Sequence, residues 1–296
     1  MVQAARGLLR EAEIETAPVD LPLVASYQGV RAVETVEMNH AGRLVPKGAG
    51  FVAQVNAAHP RGKHNFTLGH EVGHALLLQH AHERRLVEDI TTGTFDGSEE
   101  EYLCDLAAAE LLMPMHLLRP MAAELGCSLT TVVELSGRFH ASREATARRL
   151  VDANLWPCAL ALWNWSYKPA QARMVGALRL PGFEELGPER KLRLQYAVAN
   201  PDFGQYLHRY LAVEPDGHLM RCFSEGVSVQ GTEKLKFDKG YRSFFVTAVR
   251  REYIVGSELV RDVLSLLLTE ETPSELCFQP DLEPIPVGPF SRQTHA

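Results

Sequence analysis

The stretch Thr67–His80, TLGHEVGHALLLQH, constrains this chain more than any other, because it holds His70-Glu71-Val72-Gly73-His74, an H-E-x-x-H pattern. Residues four apart on an α-helix lie one turn apart on the same face, so His70 and His74 can direct both imidazoles at one metal ion. Glu71 follows His70 directly and can reach a water at that ion as general base. Leu68, Val72, Ala75 and Leu76 recur at i, i+4, i+7 and i+8 and form an apolar stripe roughly opposite the histidines. One face of this helix therefore packs on a core while the other lines a cleft.

A catalytic zinc takes three protein ligands and leaves one position for water, and two candidates compete for the third. His80 has the metzincin spacing, but Leu77 stands where that pattern needs a helix-breaking glycine. His80 then reads as a polar residue near a helix C-terminus. The other candidate lies in Ser98–Asp105, which leads into a second helix ending near Pro114. Glu101 suits the role because Asp105 stands four residues on, where it can accept the free ring N–H of a ligand histidine. Glu100 is the neighbouring alternative. Ser98-x-x-Glu101 also fits a capping box, in which Glu101 only closes the helix start.

Phe66–His74 together with Asp105–Pro114, DLAAAELLMP, resembles the ImmA/IrrE family of metallopeptidases, whose members show F-T-L-A-H-E-x-G-H and later F-A-A-E-L-L-M-P. The resemblance covers roughly residues 50–120. It implies a zincin-like peptidase with two histidines and one glutamate on zinc and a glutamate base, which carries over onto His70, His74 and Glu71. Many relatives have Glu-Ala-Asn where this chain has Leu103-Cys104-Asp105; Leu103 cannot bind metal, which leaves Glu101 as the ligand expected here. The His-His-Glu set also accepts Mn²⁺. Tyr102, His82 and His116 are nearby candidates for steadying the transition state.

The rest of the chain is less specific. The strand expected at Gly50–Asn56 precedes the metal helix, and its edge offers a place for an extended peptide to add. Leu129–Leu135, a turn at Gly137–Ala141 and a helix at Arg143–Ala153 capped by Ser142 make a helix-turn-helix shape. Arg143, Arg148 and Arg149 would be its DNA contacts. Across residues 126–156, however, four Arg stand against two Glu and one Asp, only +1, and the whole chain carries −7. DNA binding is therefore not expected, and a supporting helical hairpin is the other reading. From Pro157 on, strands at Cys158–Tyr167, Arg173–Leu180 and Phe244–Val249 and helices at Pro188–Ala199 and Ser257–Leu268 are expected, with a frayed, proline-rich tail from Pro280. Trp163, Trp165 and Tyr167 alternate on one side of the first of these strands, a pattern typical of a core.

Together these readings give an α+β multidomain chain. Residues 1–125 form a zincin-like metallopeptidase domain, 126–156 a helix-turn-helix segment, and 157–296 a GAF-like α+β domain that takes a small ligand or serves packing and dimerisation. The domain order resembles that of radiation-response members of the family. That implies a zinc endopeptidase cutting a helix-turn-helix transcriptional repressor after DNA damage. The alternative is a DNA-binding regulator with a structural, non-catalytic core. Five scattered cysteines without a C-x-x-C, an amphipathic start without a signal-peptide core, and no run of ~20 apolar residues predict a cytoplasmic chain away from membranes.

Overall fold

A computed structural model describes residues 1–84, 97–177, 188–255 and 257–269. The chain divides into two compact units: Met1–Glu124 with Val132–Arg149, and Leu125–Thr131 with the residues from Leu150 on.

The first unit opens with helices α1 (Val2–Glu11) and α2 (Leu21–Ser26), the latter capped by Asp20, whose carboxylate accepts the Leu23 N–H at 3.0 Å. Strands β1 (Val30–Val36), β2 (Gly42–Lys47) and β3 (Gly50–Asn56) form a sheet in the order β1-β3-β2. β3 runs parallel to β1 and antiparallel to β2. Lys47 pairs with Gly50 across a two-residue turn, and Gly48 takes the left-handed φ of 63° there. β3 is thus the central strand, hydrogen-bonded on both sides, and cannot accept a peptide. Among the described residues β1 and β2 are the edge strands, and the edge position of β2 tolerates Pro46.

Helix α3 (Arg61–Arg84) carries the H-E-x-x-H pattern, and α4 (Gly97–Leu112) packs along it. The expected apolar stripe is in place: Leu68, Val72, Ala75 and Leu76 are buried. α3 continues without a break past Leu77, so the chain makes no metzincin-type turn, and the His80 side chain lies outside the described residues. α4 begins at Gly97, which puts Ser98 inside its first turn rather than at the cap.

Helices α5 (Met115–Leu125), α6 (Leu129–Arg138) and α7 (Arg143–Asp152) follow. Ser142 caps α7 as expected, its Oγ accepting the Ala145 N–H at 3.1 Å. Arg149, a DNA contact only on the DNA-binding reading, is just 8% exposed. Its Nε donates to Met113 O at 3.0 Å and its Nη2 pairs with Glu110, which also binds Arg6 at 2.9 Å. A buried carboxylate needs such partners, so this arginine holds the core of the first unit.

The second unit is a five-stranded antiparallel sheet in the order β5-β4-β8-β7-β6. The strands are β4 (Cys158–Ser166), β5 (Lys191–Ala199), β6 (Val229–Phe237), β7 (Gly240–Val255) and β8 (Glu258–Thr269). Helix α8 (Pro169–Ala177) follows β4, and α9 (His218–Glu225) precedes β6. Ala159, Ala161, Trp163, Leu192, Leu194, Val246 and Leu267 form one core layer with Leu219 and Cys222 of α9. Trp163 is fully buried and donates Nε1–H to Ser265 Oγ at 2.8 Å, whereas Trp165 is 39% exposed and stacks on Phe223.

Three expectations are reversed here. Residues 257–268 form a strand, not a helix: Val263–Leu268 are all buried, and a continuous apolar run has no period that separates strand from helix. Residues 191–199 are a strand whose Leu192 and Leu194 alternate into the core, although Pro188, Glu189, Arg190 and Lys191 look like a helix start. Arg173–Ala177 belong to a helix, because Pro169 occupies its first position, where a missing N–H costs nothing. The tail from Pro280 lies outside the described residues. The four described cysteines, Cys104, Cys127, Cys158 and Cys222, are free thiols and buried. No helix among the described residues is long and apolar enough to cross a membrane.

Arg149→Ala leaves Glu110, in a buried setting, with Arg6 and a long bond from the Met115 N–H, both on Oε1. We expect a loss of unfolding free energy of about 3 kcal/mol, read from urea denaturation; a change below about 1 kcal/mol would mean that the pair does not hold this core.

Candidate metal centre

Two helices build the site, and small residues let them meet. A Cβ added at Gly73 would stand 3.0 Å from Cys104 Cα, and one at Gly69 would stand 3.2 Å from Ala108 Cα. Gly69 and Gly73 are one turn apart, as are Cys104 and Ala108, so one small-residue ridge lies against another over a full turn. This close approach brings Glu100, Glu101 and Asp105 of α4 up to His70 and His74 of α3.

The geometry converges on the two Nε2 atoms, which lie 3.1 Å apart. Glu101 approaches both, with Oε2 at 3.1 Å from His70 Nε2 and Oε1 at 3.7 Å from His74 Nε2. A zinc ion holding its donors at ~2.0–2.1 Å in a tetrahedron separates them by roughly 3.3 Å; the two Nε2 atoms stand near that spacing, and Glu101 meets each of them through a different oxygen. Each imidazole is oriented from behind. His70 Nδ1 meets Asp105 Oδ1 at 2.9 Å, and His74 Nδ1 meets Glu100 Oε1 at 3.1 Å. With the proton on Nδ1 donated to those carboxylates, Nε2 presents a lone pair to a cation.

A second grouping uses the same histidines: His70, His74 and Cys104 offer ligand atoms within 4.8 Å of one another. The Cys104 sulfur, however, lies 3.4 Å from His74 Nδ1, on the side of the ring already facing Glu100. Burial, reinforced by the charges of Glu100 and Glu101, pushes its thiol up to about 12, so a metal would have to displace a firmly held proton to take the sulfur. The geometry favours the carboxylate set.

Glu71 is 6% exposed. Burial pushes its carboxyl above the usual range, against the pull of His74 and His70, as suits a group that accepts a proton near neutral pH. His70 feels burial first, which lowers its basicity; the hydrogen bond and charge of Asp105, with the charges of Glu101 and Glu71, more than reverse this. The ring is therefore more basic than an ordinary imidazole. β2 closes one side of the site: a Cβ at Gly42 would meet Thr67 Cγ2 at 2.3 Å and Glu71 Oε1 at 3.1 Å.

The structure thus brings together His70, Glu71, His74, Glu101 and Asp105, all five expected from the sequence. It sets Glu100 behind His74 rather than at the ion position. The contribution of β2 through Gly42 was not foreseen, since a glycine two residues after a histidine carries no motif. Among the suggested helpers, His116 is turned away, its Nε2 on Ile14 O at 3.1 Å. The His82 side chain lies outside the described residues.

Residues 26–151 match the family model described as the IrrE N-terminal-like domain. Two curated relatives are each named radiation response metalloprotease IrrE. That of Deinococcus radiodurans is 30% identical over 111 residues, which is 38% of this chain and 34% of the relative. That of Deinococcus deserti is 29% identical over 118 residues, 40% of this chain and 42% of the relative. The matched stretch therefore spans less than half the length of either. Among solved structures, a Mycobacterium tuberculosis transcriptional regulator has a similar fold, with a TM-score of 0.58 at 15% identity over 93% of this chain and 77% of that one.

Two measurements examine the centre. Glu101→Gln is expected to weaken zinc binding by about 100-fold or more while Cys104→Ser changes it by less than about threefold; the reverse order would make sulfur the ligand. Zinc must also displace the proton held by His70. Its affinity should fall about tenfold per pH unit, for each proton displaced, below the raised pKa of that ring, and competition with a chromophoric chelator from about pH 5 to 8 reads that slope. A flat profile would contradict it.

Proposed function

For a chain that belongs to the IrrE/ImmA family through residues 26–151, we propose the function of a zinc-dependent endopeptidase with His70, His74 and Glu101 as metal ligands. The observation that carries this reading is the convergence of two Nε2 atoms and one carboxylate beside a buried Glu71. A bound Zn²⁺ would supply Lewis acidity to a water and to the scissile carbonyl. Glu71 takes the proton of the attacking water and passes it to the leaving amine. Asp105 and Glu100 keep the two imidazoles in the tautomer that leaves Nε2 free. The free edge of β2, which begins against Glu71, is where an extended substrate would add as a further strand.

The family resemblance suggests the substrate: a helix-turn-helix transcriptional repressor of the DdrO type, cut after DNA damage to release a radiation and desiccation response in the cytoplasm. The first unit then corresponds to a zincin-like domain, α6 and α7 to its helix-turn-helix segment, and the sheet of the second unit to a GAF-like domain that could take a small ligand. Regulation by direct DNA contact is the weaker reading, since Arg149 is committed to Glu110 and Met113 O.

Purified full-length protein, zinc and such a repressor, with and without chelator, test the proposal. A defined cut that chelation abolishes is expected. Glu71→Gln should retain zinc and lose turnover by about 10³-fold. A variant that cuts at the wild-type rate would remove Glu71 from the mechanism.

A further inference from the structure

Arg193 lies in β5 between Leu192 and Leu194, whose side chains enter the core beneath α9. Side chains alternate along a strand, so that of Arg193 takes the opposite face of the sheet. It is only 4% exposed there. Strand pairing sets Arg193 beside Asn164, Asn164 beside Asp262, and Asp262 beside Arg251, in one row across β5, β4, β8 and β7.

The row holds two buried arginines in different states. Arg251 has a carboxylate on the edge formed by its Nε and Nη2, which stand 2.6 and 2.9 Å from the two oxygens of Asp262. Arg193 has no such partner. Among the described residues its side chain makes one hydrogen bond, from Nη1 to Tyr210 O at 3.2 Å, and its buried Nε has none. Burial lowers its pKa, with no neighbouring carboxylate to oppose the shift. An arginine starts so far above neutrality that the group stays charged all the same. A buried guanidinium whose one acceptor is a neutral carbonyl is costly to hold.

The backbone is shaped to hold it. Tyr210 takes a φ of 67°, in the left-handed region that a bulky side chain rarely adopts. Its N–H donates to Leu194 O at 2.8 Å while its carbonyl receives Arg193. The Leu194 N–H on Leu211 O and the Val213 N–H on Leu192 O fasten the same segment along β5. The exposed Arg209 guanidinium lies 5.1 Å from the centre of the Tyr210 ring, a second cation in the same turn.

We propose that Arg193 anchors a binding site for a small organic anion in the second unit, its Nε–H and Nη2–H donating side by side to two oxygens of a carboxylate or phosphoryl group, as Arg251 donates to Asp262. Tyr210 O steadies the guanidinium through Nη1, and Arg209 adds positive charge at the approach. This gives a chemistry to the small ligand suggested above for the second unit, and rests on that reading rather than on the peptidase.

The test titrates the full-length protein with sodium phosphate, with sodium acetate and, to control for ionic strength, with sodium chloride, while NMR follows the arginine Nε–H groups. Arg193→Lys keeps the charge, loses the paired donors, and identifies the Arg193 resonance by its disappearance. That resonance should shift saturably with phosphate or acetate and stay in place with chloride. The anion that saturates at the lower concentration tells a phosphoryl ligand from a carboxylate one. Arg193→Lys should bind that anion about tenfold or more weakly, read from the backbone amide shifts around Tyr210. If neither anion saturates, or if Arg193→Lys binds within about threefold of the wild type, the site is overturned. Neither zinc nor cleavage enters the assay, so that result leaves the peptidase reading standing, and a failure to cut a repressor leaves the anion site standing.

Discussion

The contact between α3 and α4 carries the rest of the site. Helices with ordinary side chains at their contact pack with axes ~8–10 Å apart. Here the Cα atoms of Cys104 and Ala108 lie 3.0 and 3.2 Å from where a Cβ of Gly73 or Gly69 would be, and Cys104, Ala107 and Ala108 are fully buried. Glu101 reaches His70 Nε2 at 3.1 Å only because nothing bulkier than hydrogen intervenes one row away. A methyl group at Gly73 would displace all three carboxylates of α4 together, since they ride on one rigid helix. The metal geometry is thus a consequence of two missing side chains.

That contact also determines the electrostatics. Glu71, Glu100, Glu101 and Asp105 surround two imidazoles in a partly buried space. Carboxylates at this density repel one another and favour a cation among them. A proton on His70 partly meets the need, and a divalent ion meets it better while releasing that proton. The same field, with burial, keeps Cys104 a neutral thiol. In the proposed enzyme, that one charge distribution would draw in the metal and hold Glu71 as a base.

The two units differed in how legible they were. In the first, the information is local: His70 and His74, and likewise Glu101 and Asp105, are each separated by one helical turn, so periodicity alone placed them. Ser98–Glu101 was ambiguous because a capping box and a metal ligand use the same residue types. What could not be read was anything set by a partner across space: Gly42 against Glu71, Glu100 behind His74, and Arg149 turned inward to Glu110. In the second unit the pattern itself misleads. Val263–Leu268 is buried without interruption, and the Glu189–Lys191 approach to β5 is rich in helix formers. The sheet pairing of β8 with β4 and β7 decides the matter, and pairing is non-local.

The second unit shows what buried charge looks like when it serves structure. Asp262 is fully buried, and its two oxygens take Arg251 Nε at 2.6 Å and Nη2 at 2.9 Å, with the Tyr253 hydroxyl at 3.0 Å. Glu233, on the α9 side of the sheet, accepts the Leu219 N–H at 2.9 Å and so caps α9, which Gly217 permits because a Cβ there would stand 2.1 Å from Glu233 Oε1. Both groups face donors fixed to the fold, Asp262 through both oxygens and Glu233 through one, its Oε1 having no partner and burial pushing its carboxyl above the usual range. At the α3–α4 centre the relation differs: two Nε2 atoms and one carboxylate meet at one point, and only a shared proton or a cation reconciles them. Groups arranged to repel in the absence of a ligand are costly to hold together, and that cost separates a site built for an ion from a core that merely contains charge.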